Sequence, residues 1–504
     1  MLAKIFSGSV VGLDGKLIEV EVDIGQGKPR FFMVGLPAKE VEESEDRIKA
    51  AILNAGFVLP NRRTTVNLAP ANIRKEGSGY DLPIAIGLLK ADKQIDISVN
   101  KSIFAGELSL GGKLRPIKGV LSLAIMAKEN GFKKLYIPLE NAREASLIDE
   151  IKVYGVKNLS QLILHLLGDK KIEPHKPFTN FNDTEEVSPF DMSYVKGQSQ
   201  AKRALEIAAC GGHNVIFSGP PGSGKTLLAR TLPTILPSLT RDEMLEVTRI
   251  HSVAGNLPPD ISLITKRPFR KPHHTSSSAA LVGGGRIPRP GEISLSHRGV
   301  LFLDEFPEFS RVALESLRQP LEDGMITVSR AAGSMQFPAS IILVAAMNPC
   351  PCGYATDPDK ECLCSSMKIL NYQKKISGPL LDRIDLHIEV PRMNYDKLKS
   401  KEKSPSSREI REKVEKSRVL QNTRFEKSNT VSNSEMSARE VEKYCLLDKD
   451  AENLLKKAVN KMNLSARSYH RLLKVGRTIA DLEDSEQILS KHIAEALQYR
   501  TRVE

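Results

Sequence analysis

An apolar, strand-forming run that passes directly into a glycine-rich turn constrains this chain more than any other feature. Val215-Ile216-Phe217-Ser218 is followed by Gly219-Pro220-Pro221-Gly222-Ser223-Gly224-Lys225-Thr226 and then by the helix-forming run Leu227 to Leu232. A strand that turns into a helix through G-x-x-x-x-G-K-[ST] closes its backbone N–H groups around phosphates at a helix N-terminus. Lys225 reaches toward β- and γ-phosphates, and Thr226 offers a hydroxyl to Mg²⁺. The strand before and the helix after count against an accidental glycine-rich turn. The run therefore implies bound ATP on a parallel α/β sheet.

A second motif separates hydrolysis from mere binding. In Gly299-Val300-Leu301-Phe302-Leu303-Asp304-Glu305-Phe306, four apolar residues form a buried-type strand that ends on two adjacent carboxylates. Asp304 is placed to hold Mg²⁺, and Glu305 to orient or deprotonate the attacking water. An Asp-Glu pair can also simply end a strand, but beside Lys225 it favours ATP hydrolysis.

The chain is long enough for about three domains. Its 504 residues are 40% hydrophobic and 27% charged, and the net charge of +12 suits a polyanion partner. Leu82 to Leu89 and Ile341 to Met347 are too short to span a bilayer. Met1-Leu2-Ala3-Lys4-Ile5-Phe6-Ser7-Gly8 has no signal-peptide hydrophobic region, so a cytoplasmic protein without a membrane partner is expected.

Of six cysteines, Cys350, Cys352, Cys362 and Cys364 form two C-x-C pairs on a short polar segment. Two thiolate pairs can close a tetrahedral Zn²⁺ site, and in a cytosolic chain that reading is preferred to disulfides. The spacing is tighter than the usual C-x-x-C knuckle, so reduced structural thiols remain the alternative. Cys210 and Cys445 read as buried small residues.

Three regions separate along the chain. Residues 1–170 read as an α+β domain, with strands at Leu17–Ile24, Phe31–Val34 and Thr64–Leu68 and one helix from Val41 to Ala55 closed by Gly56. Residues 171–189 read as a linker. Residues 190–393 alternate strands and helices as a parallel α/β core must, and 394–504 read as a helical C-terminal lid with a helix from Ser407 to Phe425.

Within the core the residues resemble the AAA+ ATPases of the magnesium-chelatase type. Asn348, at the end of the apolar strand Ile341–Met347, resembles the sensor-1 residue that orients the lytic water. Ser377-Gly378-Pro379-Leu380-Leu381-Asp382-Arg383-Ile384-Asp385 resembles the run that carries an arginine finger for a neighbouring subunit's ATP, which makes Arg383 the candidate finger. Ser465-Ala466-Arg467 resembles the sensor-2 position of the lid, and the resemblance implies that Arg467 touches γ-phosphate. Without the family pattern, either arginine reads as a surface ion pair.

The segments Arg267 to Thr275, Asn348 to Gly353 and Arg477-Thr478-Ile479-Ala480-Asp481-Leu482 together resemble the bacterial YifB/ComM family. That resemblance implies a hexameric DNA motor promoting branch migration in natural transformation. It also implies a Lon-protease-like fold for residues 1–170, where Phe104 to Ile117 resembles a Lon strand and turn. A Ser–Lys peptidase dyad is not expected: Leu121 stands where Lon proteins carry the lysine, and Ser78 with Lys118 could form only a displaced dyad.

The basic run Arg267-Pro268-Phe269-Arg270-Lys271-Pro272-His273-His274 lies between the two nucleotide motifs, where chelatase-like AAA+ proteins place inserted loops. It is expected to face a ring's pore, with Arg267, Arg270 and Lys271 tracking phosphates and His273 and His274 packing on bases of single-stranded or branched DNA. The alternatives are a solvated structural loop and, for the two histidines, a metal site. As a whole the chain reads as a Mg²⁺-dependent ATP-driven DNA helicase or translocase. Two other readings remain, the ATPase subunit of a metal-inserting chelatase and a protein-remodelling ATPase.

Overall fold

The computed structural model describes residues 2–177, 188–258, 261–285, 288–330, 333–357, 359–393, 404–428, 430–462 and 464–500. Part of the expected linker, 178–187, and the start of the expected lid, 394–403, lie outside the described residues. The chain folds as two compact units: Met1–Asn182 with Met244–Ile264, and Asp183–Glu243 with Thr265–Glu504. The segment 244–264 thus belongs to the N-terminal unit although it lies between the two nucleotide motifs in sequence.

The N-terminal unit is built on a mixed seven-stranded sheet: β1 (Leu2–Val11), β2 (Asp14–Gly25), β3 (Arg30–Val34), β4 (Arg63–Ala69), β5 (Ser102–Phe104), β6 (Lys134–Pro138) and β7 (Lys152–Val156) in the order β3-β4-β2-β1-β5-β6-β7. Alternation of buried and exposed residues along β1 and β2 fixes their antiparallel register, from Leu2 opposite Asp23 to Val11 opposite Asp14. The single helix expected over Val41–Ala55 is instead two, Lys39–Glu42 and Ser44–Asn54, because the chain turns at Glu43. Val41, Ile48 and Ile52 still point to one core. The nearly all-apolar helix α1 (Asp81–Ala91) packs on β1 and β2, which accounts for the longest apolar run of the sequence.

The inserted segment covers the region where a peptidase lysine would sit. Arg249 donates from Nε to the Leu13 carbonyl at 3.0 Å and from Nη2 to Asp14 at 2.8 Å. Ser252 donates to buried Glu144 at 2.5 Å, and Glu144 also accepts the Leu121 amide at 2.8 Å. The Ser78 hydroxyl donates to Glu107, and the Lys118 side chain lies against Gly255. Among the described residues no hydrogen bond joins Ser78 to Lys118.

The second unit carries a fully parallel five-stranded sheet: β8 (Val215–Ser218), β9 (Phe269–Arg270), β10 (Val300–Leu303), β11 (Ile342–Met347) and β12 (Leu386–Glu389) in the order β9-β10-β11-β8-β12. Every residue of β10 is buried, as expected for a strand with helices on both faces. Helix α2 (Lys225–Ile235) follows β8, and the turn between them is the glycine-rich run. Helix α3 occupies Ser407–Phe425, the range the sequence predicts, and begins with a capping box of Ser406 and Glu409.

Helix α4 (Ala466–Leu482) is capped by Ser465, which places Arg467 in its first turn. Val414 of α3 and Leu472 and Ile479 of α4 share one hydrophobic core with Val215, Phe302 and Val344 of the sheet. The helices after residue 404 and the sheet are therefore one folding unit. Buried polar groups tie them further: Asp481 receives Arg424, Arg477 and Asn433, and Thr478 meets His213 at 2.8 Å. The Arg477 to Leu482 motif is thus structural, since its Arg and Asp satisfy one another out of water.

Candidate nucleotide site and cysteine centre

The carboxyl ends of β8, β10 and β11 come together, where ligands bind on open parallel sheets. Gly222 and Gly224 take left-handed backbone conformations, φ +78° and +92°, that turn the loop into α2. A Cβ on Gly219 would lie 2.1 Å from the Val390 carbonyl, so the loop can approach the neighbouring strand only with glycine there. Lys225 points back into this loop, donating to the Gly219 carbonyl at 2.6 Å and the Pro220 carbonyl at 2.9 Å. Its ammonium also lies 3.3 Å from Oδ1 of Asn348. Burial lowers the Lys225 pKa to about 8, only partly opposed by Asp304.

Thr226 donates its hydroxyl to Asp304 at 3.1 Å. The two oxygens fit a divalent cation, and the Lys271 ammonium, 2.9 Å from the same Asp304 oxygen, is the cation held there by the chain itself. Thr226 and Asp304 would hold Mg²⁺, which would offset the charge of bound phosphates. Glu305 takes a left-handed φ of +52°, a conformation that costs a non-glycine residue roughly 1–3 kcal/mol. This turn leaves its side chain largely exposed beside Asp304, where an attacking water can be deprotonated. Its Oε2 is 2.8 Å from Nδ1 of His274.

The structure places the basic run, expected at a pore, beside the nucleotide site. Phe269–Arg270 is the edge strand β9, parallel to β10, and the run is laid along the nucleotide site. Arg267 is largely buried, donating to the carbonyls of Pro237 at 2.6 Å and Arg298 at 2.7 Å, and burial lowers its pKa to about 10. Arg270 grips Glu292 with two bonds of 2.6 and 2.7 Å. Lys271 and His274 contact Asp304 and Glu305, so both join the nucleotide set. His273 is exposed and bonded to Thr275 at 2.8 Å. The reason is geometric: a strand beside β10 brings Lys271 and His274, which follow it, to the carboxylates at the end of β10. Only the position of the run, immediately before the acidic strand, could have signalled this.

Arg383 and Arg467 are brought together at the other end of the sheet. Arg383 is 4% exposed; it donates to the Pro379 carbonyl at 2.7 Å and pairs with Glu322. Arg467 binds the other oxygen of Glu322 at 2.7 Å. Asn214, which precedes β8, donates to the Arg383 carbonyl at 3.2 Å. The P-loop follows β8, so its four residues, about 13 Å of strand, separate the arginines' end from Lys225. Arg467, expected to touch γ-phosphate, stands beside Arg383 and not beside Lys225, because the helix that carries it packs at the amino ends of the strands. Glu322, which holds both arginines, was not legible as a site residue.

The four clustered cysteines converge, with all Sγ atoms within 4.8 Å of one another. Cys350 lies 3.3 Å from Cys352 and 3.7 Å from Cys362, and Cys352 lies 3.6 Å from Cys362. A tetrahedral ion with metal–sulfur bonds of about 2.3 Å spaces its sulfurs by about 3.8 Å, so the set fits a metal with little adjustment. The backbone N–H of Tyr354, helped by the neighbouring Cys350, lowers the Cys352 thiol to about 6. This loop is also a wall of the nucleotide site: a Cβ on Gly353 would meet Pro221 at 2.6 Å.

Comparison with known proteins agrees with this architecture. Models of "Magnesium chelatase, subunit ChlI", "Subunit ChlI of Mg-chelatase" and "Magnesium chelatase, subunit ChlI C-terminal" match residues 191–398, 20–141 and 404–500. Competence protein ComM of Haemophilus influenzae is 46% identical over 100% of this chain and 98% of its own length. YifB of Escherichia coli is 40% identical over 99% of this chain and 97% of its own length. Lon protease 2 of Bacillus subtilis is 30% identical over 32% of each chain, in the N-terminal region. Among the described residues no helix is long and apolar enough to cross a membrane. A P-loop followed by Asp304 and Glu305 on a parallel sheet, a Lon-like N-terminal unit and full-length identity of 40–46% place the chain in the YifB/ComM family of magnesium-chelatase-like AAA+ ATPases.

Proposed function

We propose that the chain is a Mg²⁺-dependent ATP-hydrolysing motor acting on DNA, working as a ring, most simply a hexamer, in branch migration. What carries the reading is a division within one chain: Lys225, Thr226, Asp304, Glu305 and Asn348 sit at one end of the sheet and Arg383 with Arg467 at the other. Arginines that stabilise transferring phosphate are needed near the γ-phosphate. Two that cannot reach their own site suit a neighbour's, and repetition of that head-to-tail contact closes a ring. DNA as the track is supported by a full-length relative named for competence and by the excess of positive charge. With Arg267 and Arg270 committed to internal partners, His273 is the member of the basic run that best suits a base contact.

We infer also that the cysteine centre holds Zn²⁺, because four converged thiols on a loop match its preferred ligand set. Its role is structural, fixing the loop that carries Asn348. The alternative of a chelatase ATPase subunit draws on the ChlI family models. ATP hydrolysis measured with single-stranded, duplex and branched DNA at several salt concentrations decides between them. The motor reading expects stimulation that weakens as salt rises. No stimulation by any DNA would overturn it and favour the chelatase reading.

A further inference from the structure

Three thiols of the cysteine centre stand open to solvent at the wall of the nucleotide site. Cys352, Cys362 and Cys364 are partly exposed, whereas Cys350 is buried. Leu363, between Cys362 and Cys364, is 89% exposed, so a small molecule can reach this side of the loop. The other two cysteines, Cys210 and Cys445, are buried in the core of the second unit. A small oxidant therefore meets the cluster first, because exposure and thiolate character decide which cysteine oxidises. A bound metal adds to that character, since it holds its cysteine ligands deprotonated.

Geometry selects one pair. The sulfurs of Cys352 and Cys362 are 3.6 Å apart on residues ten positions apart in sequence. To form a disulfide of about 2.05 Å they need to close by only about 1.5 Å. Cys350 and Cys352 are nearer, at 3.3 Å, but Pro351 between them restricts the backbone of so small a ring. The same loop is joined to the P-loop. Gly353, next to Cys352, takes φ +86°, and a Cβ there would meet Pro221 at 2.6 Å. Asn348, two residues before Cys350, has its Oδ1 3.3 Å from the Lys225 ammonium. Drawing Cys352 toward Cys362 pulls on both contacts.

We propose that the cysteine centre is an oxidation site through which a peroxide slows ATP hydrolysis, by forming a Cys352–Cys362 disulfide. One of the two sulfurs attacks hydrogen peroxide: a sulfur–oxygen bond forms, the oxygen–oxygen bond breaks, and the departing hydroxide takes a proton to become water. The second sulfur then attacks the resulting sulfenic acid. The sulfur–sulfur bond forms, the sulfur–oxygen bond breaks, and a second water leaves with a second proton. The two sulfurs lose two electrons and the peroxide oxygens gain them; the protons come from the thiols, or from solvent where a metal held the sulfurs. A dithiol reverses the change by exchange. Release of Zn²⁺ with the new bond rests on the zinc reading above; the bond itself does not.

The test treats the full chain with hydrogen peroxide and follows differential alkylation with peptide mass mapping, zinc release to a chromophoric chelator and steady-state ATP hydrolysis, with thermal melting as a check on folding. A Cys352–Cys362 bond is expected, together with hydrolysis lowered at least about fivefold as the orienting groups shift. Dithiothreitol with Zn²⁺ should restore the rate. Cys362→His offers a Cys₃His zinc set but cannot form the bond, so it should keep its metal and most of its hydrolysis under peroxide. The proposal is overturned if mapping finds no bond between Cys352 and Cys362, if the bond forms without slowing hydrolysis, or if Cys362→His loses activity as the wild-type chain does. A bond that slows hydrolysis in a chain purified without zinc supports the oxidation site and removes the zinc reading.

Discussion

At the scale of single residues, Lys225 carries a pH dependence. Its ammonium is buried among loop carbonyls, which lowers its pKa to about 8. Phosphates would favour the charged form and raise that value, so ATP binding takes up a proton above pH 8. Affinity should fall as pH rises through about 8, by at most about tenfold per pH unit. Calorimetry in two buffers of different ionisation enthalpy at pH 8.5 should show the uptake, and equal enthalpies in both would refute it. Glu305→Gln keeps the shape of the site but removes the base. Turnover should drop roughly 10²- to 10⁴-fold with ATP affinity little changed, as read by steady-state hydrolysis beside direct nucleotide binding. These residues were legible because the chemistry fixes a short residue pattern at the end of each strand. The contacts of Lys271 with Asp304 and of His274 with Glu305 were not, since a two-residue edge strand leaves no periodic trace.

At the scale of elements, the cysteine loop and the edge strand each make a prediction. Gly353 packs on Pro221, and Cys350 follows Asn348 by two residues, so the thiol cluster braces the nucleotide site. Replacing Cys362 and Cys364 together with Ser should abolish bound metal, expected at about one per chain from elemental analysis. It should also slow hydrolysis roughly tenfold or more, since small misplacements of orienting groups are costly. A metal-free chain of undiminished activity would leave reduced thiols as the explanation. For the edge strand, Arg270→Ala removes a two-bond ion pair with Glu292 and should lower the melting temperature. The salt dependence of DNA binding should stay unchanged, whereas a pore-facing Arg270 would flatten it. Strong alternation made β2 readable in advance. The break at Glu43 was not, because the apolar positions on both sides keep helical spacing.

At the scale of the whole molecule, the neighbour role proposed for Arg383 predicts that full activity needs a second copy of the chain. Arg383→Ala chains mixed with Lys225→Ala chains should recover part of the hydrolysis that each lacks alone, through mixed interfaces. Co-assembly with no recovery at any ratio would remove the neighbour role of Arg383. The amino-acid sequence by itself determined the nucleotide chemistry, the parallel α/β core and the family, because backbone turns, strand burial and metal-binding residues impose fixed local spacings. Only the tertiary structure decided that segment 244–264 folds with the N-terminal unit, that the C-terminal helices share the core of the sheet, and that Arg467 joins Arg383 rather than Lys225. Those outcomes depend on which apolar faces meet across long separations, and on charges such as Glu322 that acquire meaning only from the groups packed around them.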